Sequence, residues 1–367
     1  MHPTTLNLIL PVGISFYTFQ ALSYTIDVYR GKLNATRDIV SFFAFISFFP
    51  QLVAGPIERA TNLLPQFQKK REFDYSIAVD GTRQILWGLF KKMIIADRCA
   101  IEVNAIFNDY QNASSLTLLL GALYFTFQIY GDFSGYSDIA IGVAKMFGIS
   151  MKRNFNVPYF SKNIAEFWKR WHISLNSWFV DYVYIPLGGS REGKLKTIRN
   201  TFIIFLLSGL WHGANWTFIA WGLYHSILFI PLLMLGRSKV GVVNNSEKLV
   251  IRESLVNVIR IICTFFLVML GWIVFRAETI TDAISYIYRM FTNFSTTISN
   301  WSSTTIGFIL IMLIVEWIGR YCDHPMKIFE VGLLSKYKLL RWSCYLLLIF
   351  AIITWSGKQA TFIYFQF

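Results

Sequence analysis

The stretch from Thr201 to Gly236 contains no Asp, Glu, Lys or Arg, yet it carries the triplet Trp211-His212-Gly213. As one straight helix it would be about 54 Å long, well beyond the roughly 30 Å hydrocarbon core of a bilayer. The chain must therefore turn within it, and Gly213-Ala214-Asn215 supplies residues that favour a turn. Irregular backbone is tolerated at membrane depth only where it is buried in protein or lines a wet cavity. This predicts a helical hairpin with His212 at a turn that water or substrate can reach, where an ionisable side chain is a candidate functional residue.

Composition indicates a membrane protein with several crossings. Of its 367 residues 54% are hydrophobic and only 15% are charged, and they include 34 Phe, 18 Tyr and 12 Trp. The formal net charge of +13 would suit nucleic acid, but the basic residues fall in short clusters between apolar runs, as they do in cytoplasmic loops. Nucleic-acid binding is therefore not expected. The four cysteines are scattered without a Cys-x-x-Cys pair, so neither a disulfide framework nor a zinc site is predicted.

The apolar runs predict an all-α fold: one membrane domain over residues 1–367, a helical bundle with re-entrant and interfacial amphipathic helices. In chain order the runs are Leu6 to Val28, Ile39 to Pro56, Ile77 to Phe107, Leu116 to Phe147, Phe202 to Leu210, Thr217 to Leu235, Leu255 to Phe275, Thr304 to Ile318 and Leu339 to Trp355. The second run has basic clusters on both sides and is predicted to dip into the membrane and return. The loop after Phe275 is predicted to be external and the loop after Ile318 cytoplasmic.

The same charge rule sets the direction of the hairpin that carries His212. Basic residues flank it on both sides, at Arg191, Lys194, Lys196 and Arg199 before it and at Arg237, Lys239, Lys248 and Arg252 after it. Both ends are therefore predicted to be cytoplasmic. The arms are expected to differ in length, since the shorter one, Thr201 to Leu210, would extend only about 15 Å. His212 is then expected near the deepest point of the hairpin.

Between Ile164 and Tyr184 the pattern changes from uniformly apolar to amphipathic. Aromatic and aliphatic residues recur at helical spacing, and a polar stripe that ends at Asp181 lies opposite them. This predicts one helix lying in the membrane interface. His172 lies beside the apolar face, one turn from Trp168. Two roles stay open for it, a hydrogen-bonded packing residue or a residue of the site.

Asp132 and Asp138 are the only carboxylates in one of the apolar runs. The neighbouring Gly131 and Gly135 predict a broken helix, with Asp132 or Ser134 capping its second half. A structural role, as a cap or as a buried hydrogen-bond partner, is favoured over a catalytic one. The cluster offers too few oxygen ligands for a sodium or calcium site, so no metal is predicted.

Several motifs follow one another along most of the chain. They are Pro11 to Gln20 with Asp27 to Arg30, Phe49 to Ile57, Tyr130 to Asp138, Phe167 to Leu175, Tyr184 to Gly189 and Ser208 to Trp216. Together they resemble the membrane-bound O-acyltransferase family, and the first two resemble its alginate O-acetyltransferase branch more than its teichoic-acid D-alanylation branch. Members usually carry several membrane helices before the first motif, so the resemblance implies an N-terminally shortened chain.

The resemblance implies an acyltransferase with a reaction chamber inside the bundle, in the cytoplasmic membrane. The two signature histidines of the family fall at His172 and His212, and the resemblance implies that His212 is the catalytic one. It also implies a small acyl group, with acetyl-coenzyme A as the cytosolic donor and a polysaccharide as the acceptor. A relay through an extracytoplasmic acetyltransferase partner is one implied route. No bound cofactor is implied.

The residue types suit acyl transfer from a thioester to a sugar hydroxyl. The hydroxyl needs a base as its attack begins, and neutral imidazole, with a pKa of about 6.5, suits neutral pH. The oxyanion that forms needs hydrogen-bond donors. The nearest in sequence, which cannot be ranked, are Trp211, Asn215, Trp216 and the backbone N–H at Gly213. The predicted substrate-binding residues are Trp211, Asn215, Trp168 and Asp181.

Two other classes stay open. A transporter or flippase of a glycan or lipid precursor would also use broken helices with polar residues near the midplane. Such a protein has no need of a base at His212, so the paired histidine motifs favour the acyltransferase. A weaker alternative is haem ligation by His172 and His212. A nucleophilic-serine enzyme is not expected, because no Gly-x-Ser-x-Gly elbow is present.

Overall fold

The computed structural model describes residues 13–236, 254–295, 297–330 and 333–363. These residues form helices and connecting loops with no strand among them, which confirms the predicted all-α class. The helices are α1 (Ile14–Tyr29), α2 (Ile39–Ile46), α3 (Phe49–Leu52), α4 (Ala60–Gln68), α5 (Tyr75–Leu89), α6 (Asp97–Asn108), α7 (Ser115–Met146), α8 (Ile164–Arg170), α9 (Ile173–Phe179), α10 (Lys194–His212), α11 (Trp216–Met234), α12 (Leu255–Arg276), α13 (Ile280–Thr292), α14 (Ser303–Ile318), α15 (Leu333–Lys336) and α16 (Lys338–Trp355). Two π-helical segments, Phe90–Ala96 and Val180–Tyr184, and two 3-10 turns, Pro158–Phe160 and Pro325–Phe329, lie between them.

Four helices of the described chain are long and apolar enough to cross a membrane: α7, α11, α12 and α16. In the most apolar part of α7, 83% of the segment is buried inside the protein. In the corresponding part of α16 the buried share is only 6%. The first is therefore the central helix of the bundle, and the apolar surface of the second needs lipid or another cover. The eight residues of α2 and the four of α3 are too few for either helix to cross. The predicted dip of this run into the membrane stays a prediction.

The central helix α7 runs unbroken from Ser115 to Met146, so the predicted break is wrong. Its glycines serve close helix packing instead. A β-carbon at Gly135 would lie 2.8 Å from the carbonyl oxygen of Gly88 in α5, and one at Gly131 would lie 2.9 Å from that of Lys91. Small residues let membrane helices approach closely because their backbones then meet directly. The two glycines therefore mark the contact with α5 and the π-helical segment after it.

That π-helical segment presents two consecutive lysines to α7. Lys91 Nζ lies 2.6 Å from Asp138 Oδ2, and Lys92 Nζ lies 2.7 Å from Asp132 Oδ1. Asp132 also accepts a hydrogen bond from the backbone N–H of Ile363, at 2.7 Å. Both aspartates are thus held by partners inside the fold, as one of the two predicted structural roles requires. The alternative role, a cap at Asp132 or Ser134, is wrong because α7 has no end there.

The predicted single interfacial helix from Ile164 to Tyr184 is also wrong. It is divided into α8, α9 and the segment Val180–Tyr184, and the bend lies at His172, whose φ of 45° is left-handed. Its aromatic residues pack inside the protein, since Trp168 and Trp178 are buried. The reason is a contact distant in sequence: the side chain of Asn154 accepts hydrogen bonds across the bend. A periodic pattern of apolar residues cannot reveal such a contact.

Helices α10 and α11 form the predicted hairpin, with the turn at Gly213 to Asn215 as expected. Close backbone contact joins them, because a β-carbon at Gly209 would lie 2.3 Å from the carbonyl oxygen of Phe218. Each helix has 19 residues, about 28 Å. The expected difference in arm length is therefore wrong, since α10 begins within the basic segment. The residues from Arg237 to Arg252 on the second flank lie outside the described chain, and the depth of His212 stays a prediction.

Candidate active site

His212 is the last residue of α10 and is partly exposed. Aromatic rings surround its imidazole, with centroid distances of 4.7 Å to Trp211, 5.0 Å to Phe275 and 5.3 Å to Trp221. The carboxyl end of a helix carries partial negative charge, which stabilises a cation placed there. His212 therefore lies at the end of α10 where partial negative charge faces a proton accepted by the ring.

His172 is buried at the start of α9. Its ring meets Phe133 edge-on at 4.6 Å and lies 6.0 Å from the indole of Trp211. The same indole contacts His212. The structure thus brings His172 next to the adjacent residues Trp211 and His212, which belong to a separate motif later in the chain.

Asn215 caps the start of α11, where its Oδ1 accepts a hydrogen bond from the backbone N–H of Thr217 at 3.1 Å. Its Nδ2 donates to the carbonyl oxygen of Glu278 at 3.0 Å. The side chain therefore fastens the turn after His212 to the segment between α12 and α13. This fixes the position of the turn beside the proposed site.

A cavity of about 780 Å³ lies along α10, on the side of α8, α9 and α11. This volume is within the usual range for small-molecule sites. Trp168 and Asp181 line it, whereas His172, His212, Trp211 and Asn215 do not. Asp181 pairs with Arg59 at 3.1 Å while its side chain remains 47% exposed. The predicted site residues thus fall into two groups, one in the cavity and one around Trp211.

Two indole rings connect these groups. Trp168 lines the cavity and contacts Trp221 at 5.5 Å, and Trp221 contacts His212 at 5.3 Å. His225, which lies in none of the motifs, is fully buried against the same two indoles, at 4.9 Å from Trp168 and 5.1 Å from Trp221. One feature of the sequence could have indicated His225 as a candidate, because it lies in the same uncharged stretch as His212.

Residues 33–238 match the model of the membrane-bound O-acyltransferase family. The match covers more than half of the 367 residues and contains His172, His212 and the whole lining of the cavity. The chain belongs to the membrane-bound O-acyltransferase family. This confirms the family inferred from the motifs, while the roles of the two histidines stay predictions.

Similarity to individual family members extends over most of the chain. It is 41% identical to the probable alginate O-acetylase AlgI of Pseudomonas aeruginosa over 336 residues, which are 89% of this chain and 62% of that protein. It is 32% identical to the peptidoglycan O-acetyltransferase of Helicobacter pylori over 414 residues, covering 100% of this chain and 76% of that protein. It is 31% identical to the teichoic acid D-alanyltransferase of Bacillus subtilis over 292 residues, covering 76% of this chain and 71% of that protein.

These identities agree with the predicted likeness to the alginate branch. The matched part of the chain spans 62% of the length of the curated alginate O-acetylase from Pseudomonas aeruginosa. Family membership and the helices that can cross a membrane together indicate a multi-pass membrane protein.

Proposed function

We propose that this chain is a membrane O-acyltransferase that moves acetyl groups from a cytosolic thioester, acetyl-coenzyme A, towards a polysaccharide outside the cytoplasmic membrane. Transfer is direct or passes through an extracytoplasmic acetyltransferase partner. Family membership supports the reaction class, and the names of the alginate and peptidoglycan relatives support the acyl group and the acceptor. The observation that carries the proposal is the meeting of His172 and His212 at one indole, inside the matched region.

His212 is the general base in this proposal. As the acceptor hydroxyl attacks the thioester carbonyl carbon, a C–O bond forms and the hydroxyl proton passes to the imidazole. The tetrahedral intermediate then collapses, the C–S bond breaks, and the thiolate leaves with the proton returned by His212. The negative end of α10 stabilises the imidazolium between these steps. Trp211, whose ring contacts both imidazoles, is the proposed side-chain donor for the oxyanion.

The donor occupies the 780 Å³ cavity in this proposal. Its lining includes Lys169 and Lys194, both exposed, whose ammonium groups suit the phosphates of a coenzyme A thioester. Lys194 also lies in the basic segment that is predicted to be cytoplasmic. The cavity is separated from His212 by Trp168 and Trp221, so the acetyl end of the donor reaches the base past these two rings.

The test is His212→Ala in cells that carry the full-length protein and its glycan, with O-acetate on the glycan as the readout. Loss of a general base should lower transfer by about 10²- to 10⁴-fold. A matched control is His324→Gln, because His324 pairs with Asp80 at 2.7 Å in a different part of the fold and glutamine can still donate there. The control should retain transfer per folded molecule. If His212→Ala retains more than about a tenth of the activity, His212 is not the base.

A further inference from the structure

Asn154 lies in the loop between α7 and the first 3-10 turn and is completely buried. Its backbone carbonyl accepts a hydrogen bond from Ile173 N–H at 2.9 Å. Its side-chain Oδ1 lies 3.1 Å from His172 Nδ1, 2.9 Å from Ser174 Oγ and 3.3 Å from Ser174 N. A single asparagine therefore contacts three consecutive residues at the bend between α8 and α9.

The orientation of the Asn154 amide follows from these contacts. The backbone N–H of Ser174 can only donate, so the atom that faces it must be the carbonyl oxygen Oδ1. Ser174 Oγ accepts from the backbone N–H of Ile57 at 3.0 Å, which leaves its own proton for Oδ1. On the other side, Asn154 Nδ2 donates to Ser137 Oγ at 3.3 Å. The backbone N–H of Ser174 thus fixes the orientation of the amide, and both serine hydroxyls are compatible with it.

This orientation decides which ring nitrogen of His172 carries the proton. A carbonyl oxygen only accepts hydrogen bonds, so the neutral imidazole must carry its proton on Nδ1. Its Nε2 then holds a lone pair. Nε2 is buried and makes no hydrogen bond to any residue that the structure describes. Leaving a buried acceptor unsatisfied costs free energy, and such an exception needs an explanation, of which a bound partner is one.

We propose that Asn154 is a positioning residue that holds His172 with its proton on Nδ1, so that Nε2 accepts a hydrogen bond from the hydroxyl of the acyl acceptor. The proposal rests on the proposed function, because acyl transfer supplies that hydroxyl. It gives the two imidazoles at Trp211 different tasks. His172 orients the hydroxyl, and His212 accepts its proton.

The direct test needs no activity. Purified full-length protein labelled with ¹⁵N-histidine is measured by NMR in detergent, and the signals of His172 are identified from their absence in His172→Gln. We expect a protonated Nδ1 and a bare Nε2 in the unchanged protein, and a mixture of the two neutral forms in Asn154→Ala. A proton on Nε2 in the unchanged protein would overturn the proposal, as would an unaltered spectrum in Asn154→Ala.

A matched control separates this effect from general loosening of the fold. Asn200 is also completely buried, and its Nδ2 donates to the carbonyl oxygens of Leu187 and Gly189 at 3.1 and 3.0 Å. Asn200→Ala removes a buried amide that does not touch His172. It should leave the His172 signals in place. If it changes them as much as Asn154→Ala does, the role of Asn154 is structural only.

Asn154→Asp tests the link to catalysis and covers the case in which Asn154→Ala does not fold. A carboxylate still accepts from Ser174 and from His172, but it favours the imidazolium over the neutral ring. A protonated Nε2 cannot accept a hydrogen bond, so the acid limb of the pH profile for acetyl transfer should move to higher pH by about 1 to 3 units. An unshifted profile would contradict the proposal. If the unchanged protein transfers no acetyl group at all, the proposed function fails while the NMR result still decides the role of Asn154.

Discussion

The ion pair between Lys91 and Asp138 allows a quantitative test of how charges are held inside this bundle. Their side chains are 3% and 16% exposed, and the Nζ–Oδ2 distance is 2.6 Å. Asp138 Oδ1 also accepts from Gln84 Nε2 at 2.9 Å. Removing one member of a buried pair costs about 3–5 kcal/mol, because the other charge stays buried without compensation. We expect Asp138→Asn to lower the free energy of unfolding by that amount, although the amide oxygen can still accept from Gln84.

The paired change distinguishes a broken ion pair from a lost contact. Lys91→Met removes the ammonium but keeps an unbranched side chain, so Lys91→Met with Asp138→Asn leaves no charge at either position of the pair. We expect the double variant to be more stable than the sum of the single effects predicts, by at least about 2 kcal/mol. The free energy of unfolding is measured in mild micelles by titration with a denaturing detergent, followed by circular dichroism.

Additive effects, within about 0.5 kcal/mol, would refute the reasoning. The matched control is the pair Lys196–Glu192, with the same kind of groups at 2.6 Å but with side chains 53% and 47% exposed. Solvent screens such a pair, so its coupling should be below about 1 kcal/mol. A large coupling there would show that the assay does not separate buried pairs from exposed ones.

Three further predictions concern the site and its surroundings. His172→Ala should lower acetyl transfer far more than it lowers the thermal midpoint of unfolding; a proportional loss of both would identify a packing residue. Lys194→Ala should raise the apparent KM for acetyl-coenzyme A about fivefold, the factor for about 1 kcal/mol, whereas Lys196→Ala, which does not line the cavity, should not. Lys194→Cys in a background without the four native cysteines should resist a membrane-impermeant thiol reagent added to intact cells, and labelling from outside would reverse the topology of the hairpin.

The sequence was sufficient for the hairpin because the signals there are local. An uncharged stretch that is too long for one crossing must turn, and the turn lies at Gly213 to Asn215, the residues that favour it. The two histidines were predicted from motifs of adjacent residues, and their roles stay predictions. The predicted length of α10 was too short, because the basic residues Lys194, Lys196 and Arg199, expected to precede the arm, are part of the helix.

Glycine shows why the central helix could not be predicted in the same way. A glycine within an apolar run is compatible with a turn or with a close contact between helices. The position of a neighbouring backbone distinguishes a turn from a close helix contact. At Gly135 that neighbour is the backbone of Gly88 in α5. The bend at His172 is a similar case, because its cause is an asparagine from a separate loop. Partners distant in sequence decided both features.

The polar groups that hold the bundle and those of the proposed site form one connected structure. Asn154 orients His172 on one side and donates to Ser137 of α7 on the other. The residue after Ser137 is Asp138, which Lys91 fixes from the neighbouring π-helical segment. The position of α7, set by glycine contacts and buried ion pairs, therefore sets the position of Asn154 and with it the His172 ring. The tautomer of His172 depends on which atom of Asn154 faces it. The hydrogen-bonding ability of His172 in the proposed site therefore depends on how α7 packs, and the residues that set this packing lie outside the motifs around the two histidines.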